Sequence, residues 1–410
     1  MKSIPFSPPF IDEDVYAEVK ESLASGWITS GPKVRALEDE VEKYTGAAAC
    51  VCVNSWTSGA LLMLKWFGVG PGDEVIVPAY TYSATALTVL HCGATPVMVD
   101  VKDDFTIDTD KISQAITERT KAIMPVDVGG WQADYGSIKT LVADKRHLFR
   151  PKTETQNKLG RILVLSDAAH SFGSIYKGGH FNFDSDIVIY SFHAVKNLTT
   201  AEGGAICINL PETFDVTETK KFLKIFSLNG QTKDAFTKSQ SGPGAWKYDI
   251  VALGHKVNMP DVCAAIGLAQ LRKYDQLQKE RKRVFEYYLN YFSEEKWAII
   301  PPYIGEIQTS SCHLFMLRIK GIAENQRDRI MEEISKTGVS VNVHFIPLPM
   351  LTLFKDLGFQ IRNFPIAYDN YSREISLPVY PQLSDSDLKY ICQSVSDAVE
   401  KEFKLGKTSF

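Results

Sequence analysis

Residues 186–209 read DIVIYSFHAVKNLTTAEGGAICIN. Two short apolar runs, 187–190 and 205–208, bracket a loop rich in Ser, Thr, His and Asn that holds Lys196 and closes on Gly203-Gly204. Neither run alternates apolar with polar residues, so neither suits a sheet with one wet face. Both suit strands buried on two faces of a mostly parallel sheet. Runs of the same character occur earlier at 49–53, 75–77, 97–101, 122–126 and 162–165, with helix-length segments such as 58–67 and 82–92 between them. A helical face also appears at 33–46, where Val34, Leu37, Val41 and Tyr44 recur at helical spacing and Gly46 ends the pattern. Strand and helix patterns that alternate in this way predict an α/β domain with helices flanking the sheet.

Working outward, residues 143–158 (ADKRHLFRPKTETQNK) are basic and polar and read as an exposed loop insertion. Pro260 and Asp261 open one long helical pattern that runs to residue 292. It links to a smaller α+β domain in which 313–320 and 339–345 look like strands, while 324–338 and 384–403 look helical. The expected division is a large domain, 1–259, and a linking helix with a small domain, 260–410.

Composition narrows the function classes. The 410 residues are 44% hydrophobic and 23% charged, with a formal net charge of −4. That balance is ordinary for a globular protein. It gives no electrostatic footprint for nucleic acid, and no partner of that kind is expected. The opening MKSIPFSPPF lacks the apolar centre of a signal peptide, and no stretch is long and apolar enough to span a membrane. The seven cysteines are scattered, and Cys50-Val51-Cys52 has neither redox nor zinc-pair spacing. Cys50 and Cys52 read as small buried strand residues, and the expected compartment is the reducing cytoplasm.

Four stretches carry chemistry in chain order. In NSWTSGALLMLKW (54–66) a polar turn opens a helix, where backbone N–H groups and the Thr57 and Ser58 hydroxyls make an anion seat; plain helix capping is the competing role. In VPAYTYSAT (77–85), Tyr82 is placed to stack on a planar ring or else to pack in the core. In LVLSDAAHSFGS (163–174), Asp167 ends an apolar run, where open α/β sheets present ligand groups. A carboxylate there either caps a helix or keeps a heterocyclic nitrogen protonated, as an electron-sink cofactor requires. In the 186–209 stretch, a lysine recessed at a sheet edge loses its proton readily and suits Schiff-base formation. Together the four stretches supply a phosphate seat, a stacking ring, a pyridinium partner and an amine.

Over nearly its whole length the chain resembles the DegT/DnrJ/StrS family of sugar aminotransferases, of pyridoxal-phosphate (PLP) fold type I. GPGDEVIVP (70–78) and KNLTTAEGG (196–204) are its most specific matches, and HKVNMPDVCAAIGLAQL (255–271) and VSVNVHFIPLP (339–349) continue it. The resemblance implies that Lys196 holds PLP and moves the substrate proton, and that Asp167 pairs with the pyridinium nitrogen. It also implies that Thr57, Ser58 and Ser191 grip the phosphate and that Tyr82 stacks on the ring. His170 stands where many relatives have Gln, beside the ring hydroxyl. Asn258 belongs to a segment that reaches the neighbouring subunit's cofactor, which implies a homodimer with shared sites. His344 is the candidate substrate residue, while Pro349 replaces a second histidine of many relatives and Trp56 replaces a small residue of the phosphate turn. The implied reaction moves an amino group from an amino acid, glutamate by resemblance, to a nucleotide-linked keto sugar, with C4 favoured over C3. A cyclitol or other keto substrate is the alternative, and a PLP-binding regulator without turnover is a second. A sugar dehydratase of the same fold ranks low because its relatives carry His where Lys196 stands.

Overall fold

The computed structural model describes residues 2–234 and 246–407. The apolar runs of the first half become β1 (Ala49–Val53), β2 (Glu74–Pro78), β3 (Thr95–Val99), β4 (Thr120–Ile123), β5 (Leu163–Asp167), β7 (Ile187–Ser191) and β8 (Gly204–Ile208). They form one seven-stranded sheet in the order β1-β8-β7-β5-β4-β2-β3. Pairing is parallel throughout except at β8, which runs antiparallel to both β1 and β7. Every residue of β1, β2, β5, β7 and β8 is buried, which is why these runs show no alternation. The helix Pro32–Thr45 packs against β1, and the helix Trp56–Trp66 packs against β7 and β8. β6 (Ile175–Tyr176) stands apart in a ribbon with β10 (Gln308–Thr309).

The second half builds a smaller antiparallel sheet, β12 (Glu374–Leu377), β11 (Phe315–Ile319) and β9 (Ala298–Ile299). The helices Tyr274–Phe292, Glu324–Lys336 and Asp385–Lys407 enclose it. Its own core includes Val284, Tyr288, Phe292, Phe315, Ile330, Ile375 and Val395, all without exposed surface. Burying side chains of this size contributes about 1.5–3 kcal/mol each. We keep residues 259/260 as our proposed division, with two exchanges across it. Ile4 packs into the small core and bridges to Val339, while Leu348, Phe354 and Ala367 pack into the large one.

Three expectations need correction. Residues 143–158 are largely exposed, as expected, but are not a plain loop: they contain a 3-10 turn, Lys145–Leu148, and the short helix Glu154–Leu159. Thr153 caps that helix and Gly160 ends it in the left-handed conformation. Gln156, fully buried, donates to the Phe67 carbonyl at 2.9 Å, and Lys152 pairs with buried Asp73 at 2.6 Å, so the basic residues coat a packed segment. The helical pattern of 261–292 is two helices, Asp261–Leu271 and Tyr274–Phe292. The chain turns at Arg272 and Lys273, which no sequence breaker marks. There Arg272 pairs with Glu18, and Lys273 with Asp12 and Asp14. Residues 339–345 form no strand, because their ladder pairing is limited to the isolated bridges Ile4–Val339 and Asn342–Ser376.

Candidate active site

The segments that follow β1, β2, β5 and β7 all leave the sheet at its carboxyl edge, the edge at which open α/β sheets bind ligands. Because β8 runs the other way, its first residue joins them. Gly204 stands opposite Ser191 of β7 and Val53 of β1. A side chain at Gly204 would press within 2.9 Å of the Ser55 and Trp56 backbone and 2.8 Å of the Tyr190 carbonyl, so only glycine lets this edge close around the start of the helix Trp56–Trp66.

The enclosed cavity measures about 460 Å³ and brings together Lys196, Asp167, Thr57, Tyr82, His170, Ser191 and His344 from the sequence analysis. Tyr82 is 63% exposed, so it faces the opening and does not pack in the core. Ser58 and Asn258 do not line this cavity. Ser55 takes the capping role: its hydroxyl accepts the Ser58 N–H at 3.1 Å and lies 3.0 Å from the Ser58 hydroxyl. Thr57 is thereby left exposed on the first helical turn. Asn258 donates to Ser30 and lies on a separate groove with Val34, Lys220 and Lys224. Trp56 is buried, packs into the large core and also lines the cavity. Pro349 is buried in a 3-10 turn outside the cavity.

Charge in the cavity is set by desolvation. Asp167 is buried, and burial pushes its carboxyl up to about 6 against the pull of Thr85, Ala169 and the Lys196 charge. The Thr85 hydroxyl donates to its Oδ2 at 2.8 Å. Lys196 keeps some exposed surface through the mouth, yet protein surrounds its amine. That desolvation lowers it to about 8, with Asp167 pulling the other way. Burial also keeps the imidazoles neutral, with His344 lowered to about 3 and His170 and His313 well below their usual value. The Gly129 N–H donates to His170 Nδ1 at 3.1 Å, which assigns the proton to Nε2 and makes that nitrogen a donor.

Sequence reasoning missed Thr85, His313 and Phe6. Thr85 lies in the quoted 77–85 stretch, but nothing there shows that it reaches Asp167. His313 was read only as part of an apolar strand. It lines the cavity, with its ring 4.4 Å from that of His170 and its Nδ1 2.9 Å from Asn197 Oδ1, next to Lys196. Phe6 comes from the far N-terminus and stacks on His344, with ring centroids 5.4 Å apart. No local signal marks it.

This donor set fits PLP. An amine of lowered pKa suits its aldehyde, and a buried carboxylate suits a cationic ring nitrogen. A helix start with an exposed Thr hydroxyl suits its phosphate. Comparison with known proteins agrees. Residues 9–396 match the model of the DegT/DnrJ/EryC1/StrS aminotransferase family. The chain is 36% identical over 401 residues to the spore coat polysaccharide biosynthesis protein SpsC of Bacillus subtilis, covering 97% of each chain. Among solved structures it is similar to Spr1654 of Streptococcus pneumoniae, described as a sugar aminotransferase, in its PMP form. The identity is 42% and the TM-score 0.94, covering 99% of this chain and 100% of that one. PseC of Helicobacter pylori, an aminotransferase involved in the biosynthesis of pseudoaminic acid, matches at 28% identity and TM-score 0.86, covering 98% and 100%. With the cavity's amine, carboxylate and helix start in place, the chain belongs to the DegT/DnrJ/EryC1/StrS aminotransferase family and is a PLP-dependent aminotransferase.

Proposed function

We propose that this protein transfers an amino group from glutamate to the keto carbon of a nucleotide-linked sugar, at C4 in preference to C3. The product would be an amino sugar for polysaccharide biosynthesis, made in the cytoplasm by a homodimer. The observation that carries this reading is the set of neutral imidazoles, His170, His313 and His344, that ring the cavity beside Lys196 and Asp167. Neutral hydrogen-bonding groups of this kind suit a hydroxylated substrate. The polysaccharide and pseudoaminic acid roles of SpsC and PseC support the same class.

When bound, PLP supplies an electron sink for the carbon that loses its proton. The chain's own residues do the rest. Lys196 Nζ attaches the cofactor and, once free, takes and returns the substrate proton; an amine near 8 does both at physiological pH. The Asp167 carboxylate keeps the ring nitrogen protonated, with Thr85 holding its orientation. Thr57, Ser58 and Ser191 take the phosphate, Tyr82 covers the ring, and His170 Nε2–H donates to the ring hydroxyl. His344 contacts the sugar, and Asn258 serves the partner subunit's site. The deciding experiment offers glutamate with a panel of nucleotide-linked 3-keto and 4-keto sugars and identifies the product by mass and NMR. A 4-amino product is expected, and absence of keto-acid release with every sugar would overturn the reading.

A further inference from the structure

Behind His344 lies a line of polar groups that the roles above do not use. His344 Nδ1 is 2.9 Å from Ser376 Oγ, and the Ser376 hydroxyl lies 2.5 Å from Glu374 Oε1. The other carboxyl oxygen, Oε2, accepts the backbone N–H of His344 at 3.0 Å. Glu374 and Ser376 stand two residues apart on β12, so they share one face of the small sheet, and neither has exposed surface. Neither lines the cavity; they reach it only through His344.

The donor and acceptor inventory fixes what this line can do. Oε2 is committed as an acceptor to the His344 N–H, so a proton on Glu374 belongs on Oε1. With Glu374 ionised, Oε1 accepts from Ser376, Ser376 Oγ offers His344 a lone pair, and Nδ1 carries the ring proton. Nε2 is then an acceptor. With Oε1 protonated, each bond reverses. Oε1–H donates to Ser376 Oγ, the Ser376 hydroxyl donates to Nδ1, and the ring proton sits on Nε2. A proton that enters at Nε2 releases the Nδ1 proton to Ser376, whose own proton passes to Oε1. The line gains one proton, and His344 is neutral before and after.

We propose that Glu374 and Ser376 form a proton relay to His344, and that the charge on Glu374 decides whether His344 offers a bound substrate an acceptor or a donor. The acceptor form takes a sugar hydroxyl. The donor form takes the carbonyl oxygen that transamination must release as water. The substrate consequence rests on the reading of His344 as a sugar contact, whereas the relay itself does not.

Charged and titratable groups face Glu374 from every neighbouring element. Arg318 is its register partner on β11, and Arg327 of the helix Glu324–Lys336 donates to its carbonyl at 3.1 Å. Tyr80, just after β2, donates to the His344 carbonyl, and Lys196 acts on His344 from the cavity. Burial outweighs both arginines and pushes Glu374 up to about 8, which puts the switch within working pH.

Nitrogen-15 NMR of the cofactor-loaded, histidine-labelled protein reads the tautomer directly, with His344 assigned from a His344→Gln variant. Between about pH 6 and about pH 9.5, the wild type should exchange an Nε2–H imidazole for an Nδ1–H one, with a midpoint near 8. In Glu374→Gln the amide oxygen accepts the His344 N–H and the amide NH2 donates to Ser376, so the Nε2–H form should persist at every pH. Ser376→Ala should abolish the pH response, and it decides the matter alone if Glu374→Gln does not fold. A wild-type tautomer that stays constant over this range, or an exchange that survives in Ser376→Ala, would overturn the relay. Neither result depends on which sugar the enzyme accepts.

Discussion

At the residue scale, Lys196 and Asp167 are shifted by the same cause with opposite effect on charge, because burial penalises both the ammonium and the carboxylate. Only a neutral amine attacks an aldehyde, so PLP capture by the cofactor-free protein should accelerate as pH rises through about 8. A lysine in water would need about 10.4. Stopped-flow absorbance against pH measures this, and a midpoint near the ordinary lysine value would contradict the site. Lys196→Ala should lose both the lysine-linked cofactor absorbance and turnover, and full turnover in that variant would refute its assignment. Asp167→Asn keeps the shape but removes the charge. Turnover should fall on the order of 10²-fold or more, while circular dichroism remains that of the wild type.

At the element scale, the site depends on how two helices begin. The helix Pro32–Thr45 has Gly31 at its cap, with no side chain to satisfy the first N–H groups. Asp261 does so from the start of another helix, accepting from Gly31 at 2.7 Å, Val34 at 3.0 Å and Lys33 at 3.1 Å. Asp261→Ala strips three donors at once and should cost at least about 2 kcal/mol, read as a lower urea midpoint. The helix Trp56–Trp66 starts against Gly204, where an added methyl would meet backbone that cannot move aside. Gly204→Ala should cost about 1–3 kcal/mol and weaken PLP binding in an absorbance titration with the cofactor. Unchanged affinity would mean that the edge is looser than its packing implies.

At the scale of the whole molecule, the cavity is assembled from both cores and the N-terminal segment. Phe6 stacks on His344, Ser7 donates to the Val195 carbonyl at 3.2 Å, and Leu314 and Val379 bring the small domain to the cavity wall. If Asn258 serves a second copy, as proposed, sedimentation should give twice 45.8 kDa. Phe6→Ala should raise KM for the sugar, because this ring covers one face of the proposed sugar contact, while Ile4 and its place in the small core stay untouched. Equal KM values would remove Phe6 from the substrate site.

The mostly parallel sheet was legible in the sequence because two-sided burial leaves a composition signal in most of its strands. That Lys196, Asp167 and Thr57 gather at one cavity was legible because each sits in a loop, strand end or helix start at the sheet's edge, which is a local property. The packed segment at 143–158 was not, since Gln156 and Lys152 are held by Phe67 and Asp73 far away in the chain. Nor was the break at Arg272–Lys273, where acidic partners on the helix Glu13–Ala24 receive the turning chain. The sequence by itself determined the strands, the order of the chemical groups and the cofactor they suit, because hydrophobic pattern and strand-end position are read along the chain. Only the tertiary structure decided the charge and hydrogen-bond direction of those groups. Desolvation of Lys196 and Asp167, the Thr85 contact and the Glu374–Ser376–His344 line depend on residues brought together from distant segments, and pKa and tautomer follow from that surrounding.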